Sequence, residues 1–175
     1  QTEFCAAPEQ PREPIPIALG PRVESEFAVR IGEDMPAAGA PYTPDSVREF
    51  VAECMAGIEL VDCRMEYFDY GTPNGALMIA DYGSNWGAVF GGGRTDWQHL
   101  DLAALRTKIS ANGKEIDTGT GADLAVHPPG HPFEILAWMA NHLAKFGGRE
   151  TLPNHLRKGD MLILGSATVS YYGWE

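Results

Sequence analysis

The chain has 175 residues, 44% of them hydrophobic, and a formal net charge of −11 at pH 7. This length and apolar content are typical of one globular domain with a single core. The acidic balance excludes a nucleic-acid backbone and an anionic membrane surface as partners, because both select basic patches. The three cysteines are irregularly spaced and predict neither a disulfide framework nor a zinc motif. No apolar run approaches the roughly 20 residues of a membrane span, and we expect a cytoplasmic protein.

The first predicted elements are an arm and a strand. Residues 1–20 are rich in proline and lack periodicity, which predicts an extended arm or linker ahead of a domain at 21–175. From Val23 to Ile31 the residues alternate between two faces of a predicted strand. Glu24 and Glu26 then share one face, about 6–7 Å apart. Burying two like charges is costly unless a cation or hydrogen bonds compensate. This spacing leaves open both a solvated face and a divalent-metal site.

The remaining elements are predicted in chain order. After a loop at 32–42, Thr43 as N-cap and Pro44 at the first helical position begin a helix whose apolar stripe reaches Met55. The later elements are strands at 57–63, 76–80 and 87–90, a hairpin of 105–109 with 114–117, a helix that begins at His131-Pro132 and ends before Gly147, and a strand at 161–164. Turn-linked strands predominate, so the predicted fold class is α+β with a mixed sheet.

A third acid lies in the strand predicted at 57–63. Glu59 and Asp62 are three residues apart, so they fall on opposite faces of a regular strand. Only one of them can therefore join Glu24 and Glu26 in a common site. Three carboxylates without a nearby His or Cys form an all-oxygen set, which suits Mg²⁺, Mn²⁺ or Ca²⁺ better than zinc or copper. The residues alone leave the choice between Glu59 and Asp62 open.

Several short motifs follow one another in an order that resembles a known family. They are PRVESEFAV (21–29), GIELVDCR (57–64), IADYGSN (79–85), GTGA (119–122), GHP (130–132), LAWMANHLA (136–144) and GS (165–166). Each motif is weak by itself, but this many in the right order are a strong signal. Together they resemble the fumarylacetoacetate hydrolase superfamily. Within it, the chain looks most like the 2-hydroxypentadienoate (2-keto-4-pentenoate) hydratases and the 4-oxalocrotonate decarboxylases.

The resemblance implies a fold and a metal site. The fold is a fumarylacetoacetase-type C-terminal fold, with a mixed β-sheet in a roll or barrel-like form and a few flanking helices. The implied metal ligands are Glu24, Glu26 and Glu59, with Asp62 as the reserve third ligand. The implied cofactor is Mg²⁺, or Mn²⁺.

The resemblance also implies substrate contacts. The implied contacts are Ser84 and Asn85, because the stretch from Ala80 to Ser84 matches the substrate-side loop of the family, and Asn85 stands where many relatives have a second Ser. For Ser84 the alternative is that its side chain only satisfies the backbone of a tight turn beside Gly83. The catalytic acid and base are unknown, because nothing before Pro21 resembles the N-terminal region in which relatives carry a Lys and an Asp for proton transfer. We therefore expect a chain that is incomplete at both ends, or a shortened member, and not a self-sufficient enzyme.

The function implied by the resemblance is that of a Mg²⁺-dependent lyase, either a hydratase or a decarboxylase. Its substrate would be a small 2-oxo or 2-hydroxydienoic acid, and the reaction would pass through a metal-stabilised enolate. The alternatives are an acylpyruvate-type C–C hydrolase and a catalytically silent relative with a binding or structural role. The resemblance further implies a homo-oligomer.

Overall fold

The computed structural model describes residues 22–64, 75–123, 130–149 and 152–168. The arm predicted at 1–20 and the C-terminal residues 169–175 lie outside these ranges. Within them, no helix is long and apolar enough to cross a membrane.

The main sheet has four strands, which are β1 (Arg22–Ile31), β2 (Val51–Val61), β3 (Asn85–Phe90) and β6 (Met161–Ser166). Their order in the sheet is β3-β2-β1-β6. A separate hairpin pairs β4 (Arg106–Ala111) with β5 (Lys114–Thr120). The turn of the hairpin consists of Asn112 and Gly113, whose φ values of 51° and 78° are those that the Asn-Gly signal predicts.

The helices are short except for one. The described α-helices are α1 (Gly75–Ala80) and α2 (Pro132–Phe146), and single 3₁₀ turns occupy 37–39, 46–50, 82–84, 97–99 and 121–123. The predicted start of α2 is confirmed, because Nδ1 of His131 accepts a hydrogen bond from the backbone N–H of Phe133 at 3.0 Å. Pro132 occupies the first turn, where a missing N–H costs nothing.

The hydrophobic core lies between one face of the main sheet and α2. β1 contributes Phe27, Val29 and Ile31, all buried, as the alternation predicted. α2 contributes buried residues at helical spacing, among them Phe133, Leu136, Ala140 and Leu143. The carboxylates of β1 therefore occupy the other face of the sheet.

The helix predicted from Thr43 to Met55 is wrong beyond its first turn. Thr43 does close a turn, since its Oγ1 accepts from the N–H of Ser46 at 3.2 Å. However, that turn leads only into the 3₁₀ helix Ser46–Phe50, whose N-cap is Asp45, and the chain then enters β2. β2 is a central strand, and the register shift opposite Arg30/Ile31 inserts an extra residue near its start. The extra residue brings Val51 and Cys54 to the core face, which imitates helical spacing.

The strand predicted at 76–80 is instead α1, because a short apolar run does not distinguish strand from helix and Ala, Leu and Met favour helix. The strands predicted at 87–90, 161–164 and in the hairpin are confirmed. The α+β class is confirmed, while every pairing between the described strands is antiparallel and these strands form no closed barrel.

Candidate metal centre

Three carboxylates meet on the face of the main sheet that points away from the core. Glu24 on β1 lies directly opposite Glu59 on β2, and Glu26 lies opposite Gly57. One oxygen from each of the three carboxylates lies within 4.8 Å of the others. The structure thus brings together the three acids that the resemblance names as ligands. Asp62 is buried but is not part of this group.

The centre of the group is a buried carboxylate. Glu26 is only 4% exposed. Burial, followed by the repulsion of Glu59 and Glu24, raises the pKa of Glu26 to about 8 against an opposing hydrogen bond from Gly165. Burial also raises the pKa of Glu59, and the negative charge of Glu24 raises it further. Without a cation, the group is therefore under electrostatic strain that a bound cation would relieve.

A bulge in β6 supplies a hydrogen bond to Glu26. Between the pairs Glu26↔Ser166 and Ala28↔Ile163, β6 contains one residue more than β1. Gly165 lies in this bulge with φ of +114°, a value open to glycine but not to other residues without strain. Its N–H donates to Oε2 of Glu26 at 2.6 Å. The bulge thereby fixes one oxygen of the buried carboxylate.

Asn85, the first residue of β3, orients the third acid. Its Nδ2 donates to Oε1 of Glu59 at 2.7 Å. The pairing of β2 with β3 shifts register between Leu60 and Val61, and Asn85 pairs with Val61. Such a shift changes the direction of the neighbouring side chain, here toward the face that carries Glu59. The sequence predicted Asn85 at the site, but as a substrate contact.

Gly57 leaves room beside Glu26. A Cβ at position 57 would lie 3.2 Å from the Cβ of Glu26 and 3.4 Å from that of Ala28. A side chain there would crowd the face on which the carboxylates meet. The site offers oxygen ligands from three side chains, carboxylates that repel one another, and free space at Gly57. These properties fit a hard divalent cation.

Gly57→Val is expected to weaken Mn²⁺ binding and to destabilise the fold. The added methyl groups would press on Glu26, and overpacking of this kind costs about 1–3 kcal/mol. Isothermal titration calorimetry gives the affinity, and urea unfolding gives the free energy of unfolding. Gly87→Val on β3 is the matched control, since a Cβ at Gly87 approaches only Leu60, at 3.9 Å. Equal affinity in the two variants would show that the space at Gly57 does not serve the site.

Ser84 precedes Asn85 in the chain and is fully buried. Its side chain forms a hydrogen bond that lowers the pKa of Asp81, and its backbone carbonyl accepts from the N–H of Asp62 at 2.9 Å. These contacts agree with the turn-satisfying alternative, and a substrate contact for Ser84 stays a prediction. Gly165 and the Arg64–Asp81 ion pair were not predicted from the sequence, although their residues lie inside the motifs GS, GIELVDCR and IADYGSN.

The fold and the site define a class: an α+β domain whose antiparallel sheet carries a three-carboxylate centre suited to a hard cation. No family model matches the chain. The chain is 33% identical over 151 residues to 2-hydroxyhexa-2,4-dienoate hydratase of Comamonas testosteroni, covering 85% of this chain and 50% of the relative. It is 27% identical over 152 residues to 4-oxalocrotonate decarboxylase of Pseudomonas putida, covering 87% and 52%. The chain thus spans about half the length of these curated relatives.

Solved structures share the fold. The 4-oxalocrotonate decarboxylase of Pseudomonas putida G7, complexed with magnesium and adipate, matches 87% of this chain and 52% of its own at a TM-score of 0.68 and 24% identity. A Yersinia pestis CO92 protein assigned to the fumarylacetoacetate hydrolase family matches 84% of this chain and 60% of its own at a TM-score of 0.54 and 16% identity. The predicted resemblance to the fumarylacetoacetate hydrolase superfamily, and within it to its hydratases and decarboxylases, is confirmed.

Proposed function

We propose that this chain is the metal-binding part of a Mg²⁺- or Mn²⁺-dependent lyase, a hydratase or decarboxylase, that acts on a small 2-oxo or 2-hydroxydienoic acid. The observation that carries the proposal is the meeting of Glu24, Glu26 and Glu59 within 4.8 Å, at the positions that the family resemblance gives to metal ligands. The sequence similarity to a dienoate hydratase supports the reaction class. The homo-oligomeric state and the cytoplasmic location remain predictions.

The residues of this chain have definable roles in that function. Glu24, Glu26 and Glu59 would hold the cation, which when bound would act as a Lewis acid toward the 2-oxo oxygen of the substrate. The N–H of Gly165 keeps Glu26 in place, and the amide of Asn85 does the same for Glu59. The groups that move protons are not assigned to residues of this chain.

Cation content and substrate response test the proposal together. The full chain is equilibrated with Mn²⁺ or Mg²⁺, its metal content is measured by elemental analysis, and the binding of 2-oxo and 2-hydroxydienoic acids to the metal-loaded chain is measured by calorimetry. We expect one cation per chain and cation-dependent binding of at least one acid, with little or no turnover, because this chain is not expected to be a self-sufficient enzyme. Absence of cation binding would contradict the metal site, and cation binding without binding of any of these acids would contradict the substrate class.

A further inference from the structure

A continuous set of hydrogen bonds leads from Arg64 to Glu59. Nη1 of Arg64 donates to the carbonyl oxygen of Asp81 at 3.0 Å and to its Oδ1 at 3.1 Å. Nη2 of Arg64 donates to the carbonyl oxygen of Asn85 at 2.5 Å. Asn85 in turn donates through Nδ2 to Oε1 of Glu59 at 2.7 Å. One guanidinium therefore holds both ends of the segment 81–85, and the last residue of that segment contacts a proposed metal ligand.

The backbone between these two ends is strained. Tyr82, Gly83 and Ser84 have φ values of 54°, 67° and 63°, all in the left-handed region. Tyr82 and Ser84 carry a Cβ, and a residue of that kind in a sparsely populated backbone region costs about 1–3 kcal/mol. Such a conformation persists only where its surroundings impose it. The two anchor points on Arg64 provide this constraint, because they fix the carbonyl groups on either side of the strained residues.

Arg64 is itself held in place. It forms a salt bridge with Asp81, whose side chain is 3% exposed. Burial by itself would raise the pKa of Asp81, but hydrogen bonds from Arg64 outweigh it and lower that pKa, so the carboxylate stays charged. The guanidinium also lies 4.9 Å from the centre of the Trp86 ring. A planar group with donors on a rigid fork can serve two acceptors at once, whereas the single ammonium of lysine cannot hold the same geometry.

We propose that Arg64, anchored by Asp81, is a positioning residue for the cation site: it fixes the backbone of Asn85 so that the Asn85 amide orients Glu59 toward the cation. This inference rests on the proposed function, because it takes Glu59 as a metal ligand. It assigns a task to an ion pair that connects to Glu59 through Asn85. It also explains why a strained turn is retained immediately before β3.

A role in general stability makes a different prediction from a positioning role. If Arg64 only stabilised the fold, Arg64→Lys would lower the free energy of unfolding and leave cation affinity unchanged. If Arg64 acts through Asn85, Arg64→Lys weakens cation binding only while the Asn85 amide is present. A double-mutant cycle on cation affinity separates the two cases, since residues in one hydrogen-bond network are not additive.

The cycle uses the full chain and Mn²⁺, with the dissociation constant measured by calorimetry and the fold monitored by circular dichroism. We expect Asn85→Ala to weaken binding about 10- to 100-fold, the usual cost of losing a partner of a metal ligand. Arg64→Lys, which keeps the charge beside Asp81, is expected to weaken binding several-fold in the parent chain and not at all in Asn85→Ala. Arg94→Lys is the matched control, since Arg94 forms a two-bond ion pair with Asp96 outside the segment 81–85.

Each outcome decides the matter. Loss of affinity in Arg64→Lys that disappears in the Asn85→Ala background supports the inference. Unchanged Mn²⁺ affinity in Arg64→Lys, an equal loss in both backgrounds, or the same loss in Arg94→Lys overturns it while the proposed metal site stands. If the unsubstituted chain binds no Mn²⁺, the proposed function fails first and this inference fails with it.

Discussion

Glu24→Gln is expected to weaken the binding of Mg²⁺ and Mn²⁺ by about 100-fold or more. Removal of a group outside the coordination sphere already costs about 10–100-fold, and Glu24 would be a direct ligand. The amide has the same shape but no charge, and it removes one of three mutually repelling carboxylates. The fold should therefore persist, and the pKa of Glu26 should fall somewhat because one source of repulsion is gone. Calorimetric titration with Mn²⁺ measures the affinity.

Glu115→Gln is the matched control for this change. Glu115 is exposed on β5, and its replacement alters the net charge of the chain by the same amount. A loss of affinity in Glu24→Gln with parental affinity in Glu115→Gln separates a local ligand from the general field of an acidic protein. Undiminished Mn²⁺ binding in Glu24→Gln would remove Glu24 from the metal site.

The strand that carries two of the acids could be predicted from the sequence because its pattern is simple. β1 lies between two strands and presents Phe27, Val29 and Ile31 on its core face, while the opposite face carries the two acids, so the alternation of apolar and polar side chains survives in this part of the strand. β2 carries buried residues on both faces and contains a bulge, so its pattern lost the two-residue period. For the same reason, the buried residues of β2 imitate the apolar stripe of a helix, and a helix was predicted up to Met55.

The third acid was chosen from the spacing of residues along a strand together with the resemblance. Glu59 and Asp62 are three residues apart and cannot share a face of a regular strand, but this spacing does not say which of them faces Glu24. That depends on the register between β1 and β2, which pairs Glu24 with Glu59. Register is set by the whole length of two strands far apart in the chain, so no local pattern contains it.

The hydrogen bonds that hold Glu26 and Glu59 in place could not be predicted for a similar reason. Gly165 is 139 residues from Glu26, and Asn85 is 26 residues from Glu59. Both contacts arise where a strand departs from regular pairing, at a bulge in β6 and at a register shift beside β3. A glycine at position 165 is compatible with such a bulge, but glycine is common in ordinary turns as well.

The metal-free chain is expected to lose stability as the pH rises from about 5 to about 8. The pKa of Glu26 is 4.5 in its ordinary state and about 8 in the fold. Between these values the folded chain holds a proton that the unfolded chain has released. The stabilising contribution is therefore complete below pH 4.5 and is lost as the pH passes 8, with a magnitude on the order of a few kcal/mol. Glu59 acts in the same direction, because its pKa is also raised.

Other titratable groups also affect how stability depends on pH, so the measurement needs a reference variant. Asp81 has a lowered pKa, so its contribution is complete above the ordinary carboxyl range and does not change between pH 5 and 8. Burial lowers the pKa of His131, which gives the opposite slope below about pH 6.5. Urea unfolding at pH 5, 6.5 and 8 is therefore compared between the parent chain and Glu26→Gln, in which every group but one is unchanged.

Glu26→Gln is expected to be more stable than the parent at pH 8 without a cation, and to gain nothing from Mn²⁺. Its amide oxygen can still accept from Gly165, while the buried charge is absent. The parent should gain more stability from Mn²⁺ at pH 8 than at pH 6.5, since a proton on Glu26 competes with the cation. If the variant were less stable than the parent at pH 8, the carboxylate would contribute to the fold in its own right. If the expected order holds, the chain keeps Glu26 at a cost in stability that only a bound cation offsets.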